Sequence, residues 1–363
     1  MADVRSSRPR QLVLTVGLAL AVGLASALAL WPRVAPGTGM ETVEDLEAWL
    51  LDHPDAVSAL VWNLDSGDEL VDLNAGRARP VAGLTALLLA AEYARQAENG
   101  LDTTYQVPAS VLERRRLPVI EAEPEDVGAL AMPSLVRAAV RGHRASADEL
   151  LRILGRDGVE ARPRQLDASG VEPPLPIGGL LLAWAPAQWA EGTTPAEQAA
   201  RFARVSRSAQ RDSAFARERA FQNSAAYRAE ETSRLQLHGF GLTEEEIQAA
   251  AGASFPRGTA RGYAELLTKM ADSTLASASI SERVLRSLRS SRSDSLRTAT
   301  GAIVGLAGAA ALAVTENGQI GVVLLIEGLP VDPEAQSDHA QRAAELAGRW
   351  ARVPDRVRAL SNG

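Results

Sequence analysis

The hydrophobic pattern near the start of the body predicts a helix, a β-hairpin and a second helix. Residues 42–45 are close to a capping box, and apolar residues at helical spacing follow them. The apolar run 57–64, the polar turn 65–68 and the run 69–74 predict two paired strands. The strongly apolar segment 83–99 then predicts a buried helix.

The middle of the chain, to about residue 256, has the periodicity of helices. Residues 132–155 carry two helical stretches on either side of 142–144, and the apolar segment 177–184 follows a proline-rich loop. The polar stretch 194–235, with widely spaced apolar residues, predicts an amphipathic helix or helix pair. Its eight arginines stand against five acidic residues, which favours a solvated helical face over a site for an anionic partner.

The last third of the chain returns to mixed structure. Helices, strands and a closing helix follow one another, and a turn at 316–318 joins the last two strands. The predicted helices cover 259–270, 280–288 and 333–350, and the strands cover 298–306, 310–315 and 319–326. Because strands occupy both ends of the chain and helices the middle, this order requires an antiparallel sheet built from both ends.

The first 39 residues have a different character. Three arginines precede an uncharged apolar run over 12–30, and Trp31 follows it. A helix of that length spans roughly 28 Å, close to the hydrocarbon thickness of a bilayer. Its basic flank stays in the cytoplasm, so the body lies outside the cytoplasm. A cleaved signal peptide is the alternative, since small residues at 25–29 resemble a cleavage site. Trp31 favours the uncleaved anchor.

Composition excludes several classes of function. The net charge of −7 gives the protein no general attraction for nucleic acid. The absence of cysteine excludes disulfides, thiolate metal sites and a cysteine nucleophile. The four histidines do not have metal-ligand spacing, and no cofactor-binding motif is present, so neither a metal nor a cofactor is predicted.

Three segments of the chain resemble segments of a known family in their order and spacing. Residues 79–91 pair Arg-Pro with the start of an apolar helix, residues 138–151 surround Gly142-His143-Arg144, and residues 299–301 precede the two terminal strands. This arrangement resembles the class A β-lactamases and the related penicillin-binding serine hydrolases over about residues 40–352. The sequence Glu327-Gly328-Leu329-Pro330 after the last strand is also similar to that family.

The resemblance implies an α+β, β-lactamase/transpeptidase-like fold. We expect a five-stranded antiparallel sheet flanked by helices, an inserted helical domain and an N-terminal transmembrane helix. The anchor and linker cover 1–39, the sheet-containing part covers 40–80 and 257–352, and the helical domain covers 81–256 with the arginine-rich stretch inside it.

The resemblance also locates positions where the family carries its chemistry. There a serine is activated by a lysine one helical turn later, a second hydroxyl relays a proton, and a second lysine attracts the substrate carboxylate. The matching positions here hold Gly83 for the nucleophile, Ala86 for the activating lysine, His143, Arg144 and Ala145 for Ser-Asp-Asn, Ala299 for the second lysine, and the retained Thr300 and Gly301.

The loss of these motifs does not depend on the alignment. Lys269 is the only lysine, Leu266 stands three positions before it, and Met270 follows it. Neither Ser-x-x-Lys nor Lys-Ser/Thr-Gly therefore occurs anywhere in the chain, and Ser or Tyr followed two positions later by Asn is also absent. The chemistry of the family, as it normally runs, is not available to this sequence.

Three functional hypotheses follow. The first is an inactive envelope protein that binds or scaffolds, with His143, Arg144, Thr300 and Gly301 lining its cleft and a peptidoglycan fragment or an envelope protein as ligand. The second is a divergent hydrolase of β-lactam, peptidoglycan peptide or ester substrates that uses His143 or an unplaced carboxylate, although His143 also fits an ordinary helix boundary. The third is a purely structural, membrane-tethered domain with no ligand, which a collapsed or side-chain-filled cleft would favour.

Overall fold

The computed structural model describes residues 40–117, 128–184, 193–288, 295–316, 318–331 and 336–354. The predicted membrane-spanning segment 12–30 lies outside these ranges. Inside them, no helix is both long enough and apolar enough to cross a bilayer. From Met40 onward the chain clusters into one compact unit, and the predicted division into a sheet part and a helical domain stays a prediction.

The centre of the molecule is a five-stranded sheet in the order β2-β1-β9-β8-β7. All neighbouring strands are antiparallel, so the predicted antiparallel sheet built from both ends of the chain is confirmed. Its strands are β1 (Val57–Asn63), β2 (Glu69–Leu73), β7 (Leu296–Ile303), β8 (Leu306–Thr315) and β9 (Gly318–Glu327). Two short pairs join β3 (Arg79–Pro80) to β6 (Arg257–Gly258) and β4 (Gln106–Val107) to β5 (Leu130–Ala131).

Helices cover both faces of this sheet. The described helices are α1 (Val43–Asp52), α2 (Thr85–Glu98), α3 (Ala109–Arg114), α4 (Met132–Val140), α5 (Arg144–Leu154), α6 (Arg156–Gln165), α7 (Ile177–Trp184), α8 (Pro195–Arg204), α9 (Arg207–Asn223), α10 (Ala225–His238), α11 (Glu244–Ser254), α12 (Ala260–Ala271), α13 (Ala278–Ser287) and α14 (Gln336–Arg352). A core around α1 and α14 covers one face, and a core around α2, α4, α5, α12 and α13 covers the other.

Burial on both faces explains why the central strands are almost entirely apolar. Along β1, Val61 packs toward α1 and α14, whereas Leu60 and Trp62 pack toward α2 and α12. Strand β8 is rich in alanine, which lets helices approach both of its faces closely. A third apolar cluster joins α7 to the helices that follow it.

The arginine-rich stretch folds into three helices, α8, α9 and α10, where one helix or a pair was predicted. Ser206 and Ser224 explain the extra breaks. The Ser206 side chain accepts a hydrogen bond from the backbone N–H of Ala209, and the Ser224 side chain accepts one from that of Tyr227. Serine is a favourable N-cap because its oxygen satisfies a free N–H of the first helical turn.

Arg79 fixes the segment that leads into α2. Its side chain is only 1% exposed, and it donates to the Ser58 hydroxyl at 2.7 Å and to the Val57 carbonyl at 2.7 Å. It also forms an ion pair with Glu327 at 3.3 Å. A guanidinium with these partners ties β3 to β1 and β9, so the start of α2 is held against the sheet.

Candidate functional site

The position aligned with the nucleophile lies against the backbone of a strand. Gly83 directly precedes the first turn of α2, and Leu84 beside it packs onto Gly308 of β8. A Cβ atom added to Gly83 would lie 2.4 Å from the Cα of Gly301 and 3.0 Å from the carbonyl oxygen of Thr300. Strand β7 therefore occupies the space into which a side chain at position 83 would project.

A third glycine completes the contact. Gly142 lies between α4 and α5 with a φ of +91°, and a Cβ atom added there would lie 3.0 Å from the Cα of Gly301. In return, a Cβ atom on Gly301 would lie 2.4 Å from the Cα of Gly83 and 3.4 Å from that of Gly142. We call Gly83, Gly142 and Gly301 the glycine triad. Three segments that are distant in sequence meet there through their backbones, which only glycine permits.

Little space remains beside the glycine triad. The cavity at this point has a volume of about 30 Å³, and Ile177 and Ile303 contribute to its walls. A cavity of that size holds one or two water molecules, whereas ligand pockets span about 300–1,000 Å³. Ile303 is 5% exposed and Val304 is 1% exposed, so the turn after β7 is packed into the apolar interior.

The three alanines at the other motif positions are core residues. Ala86, Ala145 and Ala299 are 1%, 0% and 2% exposed. Ala86 and Ala299 belong to the core that packs α2 and α4 against the sheet. A methyl group at these positions offers neither a proton nor a charge, so none of the three can take part in acid–base chemistry.

Thr300 has a structural partner on the opposite side of β7. Its hydroxyl donates to the carbonyl oxygen of Ala340 in α14 at 2.7 Å, and it lies 3.1 Å from that of Gly308. Successive side chains of a strand point to opposite faces. The hydroxyl of Thr300 therefore holds α14 to the sheet, while Gly301 faces Gly83.

His143 caps the helix that begins at Arg144. Its Nδ1 atom accepts a hydrogen bond from the backbone N–H of Ser146 at 3.2 Å and lies 2.6 Å from the hydroxyl of Ser146. The ring is half-buried. His143 therefore acts as an ordinary helix-boundary residue, which was one of its two interpretations from the sequence, since the ring takes the place of an N-cap side chain.

Arg144 points into the protein and joins a buried ionic network. Its side chain lies 2.9 Å from Asp148 and also contacts the carbonyl oxygen of Arg115. Asp148 in turn accepts the backbone N–H groups of Ile177 and Gly178, both at 2.9 Å, so it caps the start of α7. A carboxylate is favourable at a helix N-terminus because of the helix dipole.

Two further acids complete this network around Arg115. The Arg115 side chain is 2% exposed and forms ion pairs with Glu149, at 2.6 Å, and with Glu218 of α9. Glu149 also pairs with the partly exposed Arg152 at 2.6 Å. The network thus links the C-terminal end of α3 to α5, α7 and α9, and its member Arg144 also lines the small cavity at the glycine triad. Sequence reasoning missed Arg115, Glu149 and Glu218, because their spacing along the chain follows no motif.

The surroundings of Glu218 and Asp148 oppose the ionisation of these two carboxyl groups. Burial raises the pKa of Glu218 to about 7, helped by the charge of Asp148 and opposed by Arg115 and Arg144. Burial likewise raises the pKa of Asp148, and Arg144 acts in the opposite direction. A raised carboxyl pKa is one property of a general acid. Here the carboxylates bond to arginines and to helix N–H groups, and the adjoining cavity has no room for a substrate.

Comparison with solved structures identifies the fold. No protein-family model matches the chain, and no curated protein matches it in sequence. A β-lactamase from Chitinophaga pinensis DSM 2588 is similar in structure, with a TM-score of 0.50 and 11% sequence identity over 85% of this chain and 98% of that one. The chain has the β-lactamase fold.

Two other solved structures are similar over a comparable share of the chain. A β-lactamase from Sphaerobacter thermophilus DSM 20745 has a TM-score of 0.48 and 13% identity, covering 84% of this chain and 96% of that one. PBP-A has a TM-score of 0.47 and 12% identity, covering 84% of this chain and 96% of that one. The β-lactamase-like fold expected from the sequence resemblance is confirmed by the first comparison.

The arginine-rich helices of this β-lactamase-like chain use many of their guanidinium groups internally. Arg207 donates to the Phe255 carbonyl at 2.7 Å, Arg211 to the Pro174 carbonyl at 3.0 Å, and Arg228 to the Phe221 carbonyl at 2.8 Å. Arg217 and Arg234 also have hydrogen-bond partners inside the protein. These contacts join α9 to the backbone at Pro174 and Phe255 and join α10 to α9.

Within the residues from Met40 onward, gaps excepted, no group of three or more histidine, cysteine, aspartate or glutamate side chains is placed to hold a metal ion.

Proposed function

We propose that this protein is a catalytically inactive β-lactamase-like domain of the cell envelope that acts as a structural scaffold. The observation that carries the proposal is the glycine triad, in which β7 fills the space a nucleophile would need. At the cleft itself the closure favours the third hypothesis drawn from the sequence, in which no ligand binds there, and the scaffold role of the first hypothesis is then left to the outer surface.

A serine hydrolase of this fold needs a nucleophile, a base beside it and room for an acyl group. Position 83 has no side chain, and Ala86 replaces the base with a methyl group that is 1% exposed. The neighbouring cavity of about 30 Å³ is smaller than any β-lactam or dipeptide. Each of these three requirements fails separately, so one compensating substitution would not restore the chemistry.

A rebuilt hydrolase is the second candidate, and the contacts of its residues count against it. His143 has its Nδ1 atom engaged with Ser146, 3.2 Å from the backbone N–H. Glu218 is held by Arg115 and by the side chain of Gln222 at 3.1 Å. A general base must reach the proton it removes, and the cavity at the glycine triad, about 30 Å³, is too small to place a substrate there.

The proposed location and partners of the scaffold are inferred from the sequence. Arginines before the apolar run 12–30 support an N-terminal membrane anchor with the body outside the cytoplasm, or a secreted body if the segment is cleaved. The closed cleft disfavours a peptidoglycan fragment at the glycine triad. An envelope protein that contacts the outer surface is therefore the partner we propose.

The full-length protein, treated with a fluorescent penicillin and separately with a chromogenic cephalosporin, tests this function. Intact-mass spectrometry would detect a covalent acyl adduct, and absorbance would detect turnover. We expect neither signal from the wild type nor from the His143→Ala variant. A stable adduct, or turnover that His143→Ala abolishes, would contradict the proposal and reveal a working site.

A further inference from the structure

A groove of about 570 Å³ lies between the β1–β2 hairpin and α12. It shares no lining residue with the small cavity at the glycine triad. Its volume falls within the range of small-molecule pockets, about 300–1,000 Å³. If this protein binds a small molecule, this groove offers the space that the closed cleft lacks.

The floor of the groove is apolar and rigid. Leu60 and Trp62 of β1 contribute to it together with Ala264 of α12. The Trp62 ring lies on Gly321, where an added Cβ atom would be 2.4 Å from Cζ2. Its indole N–H donates to the Thr268 hydroxyl at 3.1 Å. Because the ring is held from both sides, the floor is formed before any ligand arrives.

The two basic side chains of the groove are engaged within the protein. Arg261 forms ion pairs with Glu69 and with Asp72, the latter at 2.8 Å. The amine of Lys269 donates to the carbonyl oxygen of Leu166. Neither group is therefore directed at an anionic ligand.

Two acidic side chains of the groove, one in α12 and one directly after it, do not form ion pairs with the basic groups that the structure describes. Glu265 and Asp272 both line the groove. Glu265 accepts a hydrogen bond from the backbone N–H of Ser169 at 3.3 Å, and Asp272 is exposed. Within the described residues neither acid forms an ion pair, although Lys269 lies one helical turn from each. The groove therefore combines an apolar floor with two acidic side chains outside ion pairs, opposed by the positive charge of Lys269.

We propose that this groove binds an organic cation. Its apolar or aromatic body rests on the Leu60 and Trp62 floor, and its positive group lies beside Asp272, with Glu265 about two helical turns away on the same side of α12. Carboxylates at the rim attract the charge, and aromatic and aliphatic side chains bury the body. This inference does not depend on the inactivity of the cleft, since the two regions have no lining residue in common.

The test uses benzyltrimethylammonium as the probe and the full-length, ¹⁵N-labelled protein. The chain has six tryptophans, and the Trp62 indole resonance is assigned by its loss in Trp62→Phe. We expect the Trp62 resonance to shift in a saturable way, with a dissociation constant on the order of millimolar, as for other fragments. Phenylacetate, which has a similar body and the opposite charge, is expected to bind more weakly.

Charge variants decide whether the rim recognises the cation. Asp272→Asn is expected to raise the dissociation constant about threefold, and Lys269→Gln to lower it by about the same factor. Asp52→Asn, an exposed site on α1 across the sheet, makes the same charge change and is expected to have no effect. The proposal is overturned if Trp62 does not respond, if phenylacetate binds as well, or if Asp272→Asn matches Asp52→Asn. Turnover of a β-lactam would leave these outcomes unchanged.

Discussion

Substitution of Gly83 by serine introduces the nucleophile side chain and tests whether the cleft is closed. A Cβ atom at position 83 would lie 2.4 Å from the Cα of Gly301 and 2.9 Å from its backbone nitrogen. These atoms belong to the backbone of β7, the edge strand that is hydrogen-bonded to β8, so they cannot rotate away as a flexible side chain could.

The size of the effect follows from the displacement required. Ordinary contacts of a Cβ atom begin at 3.4 Å, so the start of α2 and β7 must separate by about 1 Å. Overpacking of this kind costs about 1–3 kcal/mol. A buried hydroxyl without a partner adds about 1–3 kcal/mol, and the lower entropy of the unfolded chain returns about 0.4–1 kcal/mol. We expect Gly83→Ser to lower the free energy of unfolding by about 3 kcal/mol.

Equilibrium unfolding in urea, followed by circular dichroism, measures this difference. Gly76→Ser is the matched control, because a Cβ atom at Gly76 meets no atom within 4 Å. We expect the control to change the free energy of unfolding by less than about 0.5 kcal/mol.

The reasoning would be refuted by a Gly83→Ser protein as stable as Gly76→Ser, since position 83 would then have room for a side chain. A second variant, Gly83→Ser combined with Gly301→Ala, sharpens the test. Both changes separate the same pair of segments, so their joint cost is expected to be smaller than the sum of the separate costs.

Three further predictions concern the buried polar groups. Arg115→Met leaves Glu149 and Glu218 without their main buried partner and is expected to cost about 3–5 kcal/mol in urea unfolding; a loss below 1 kcal/mol would show the network to be dispensable. Since the pKa of Glu218 is raised to about 7 in the folded protein, the folded state binds more protons than the unfolded state, and stability is expected to fall as the pH rises from about 4.5 to 7. Glu218→Gln should flatten that slope, and an unchanged slope would assign it to other groups. Thr300→Val removes a donor from the Ala340 carbonyl and is expected to cost about 1–2 kcal/mol, whereas an unchanged midpoint would show that α14 does not depend on this bond.

The outline of the fold could be predicted from local patterns. The turn over 65–68 between two apolar runs gave the β1–β2 hairpin, and the apolar segment 83–99 corresponds to α2. The sequence pattern predicts the first C-terminal strand over 298–306, whereas the strand covers Leu296–Ile303, because the chain turns at Val304 and Gly305, which both have positive φ. A valine in that conformation gives no turn signal in the sequence.

The state of the cleft could not be predicted from the sequence. Gly83, Gly142 and Gly301 are single glycines separated by long stretches of chain, and nothing local indicates that they touch. The contact appears only when the helix and strand are packed in three dimensions. Thr300 shows the same limit of the sequence. It keeps the residue type of the family motif, but its hydroxyl donates a hydrogen bond to α14.

The closed cleft is tested most directly by the distance between the α-protons of Gly83 and Gly301 in solution. Nuclear Overhauser spectra of the full-length protein, with the two glycines assigned by Gly83→Ala and Gly301→Ala, measure it. A strong cross-peak is expected, because an added Cβ atom on Gly83 would lie only 2.4 Å from the Cα of Gly301. The absence of this cross-peak from a well-resolved spectrum would mean that the cleft is open, and would contradict the account.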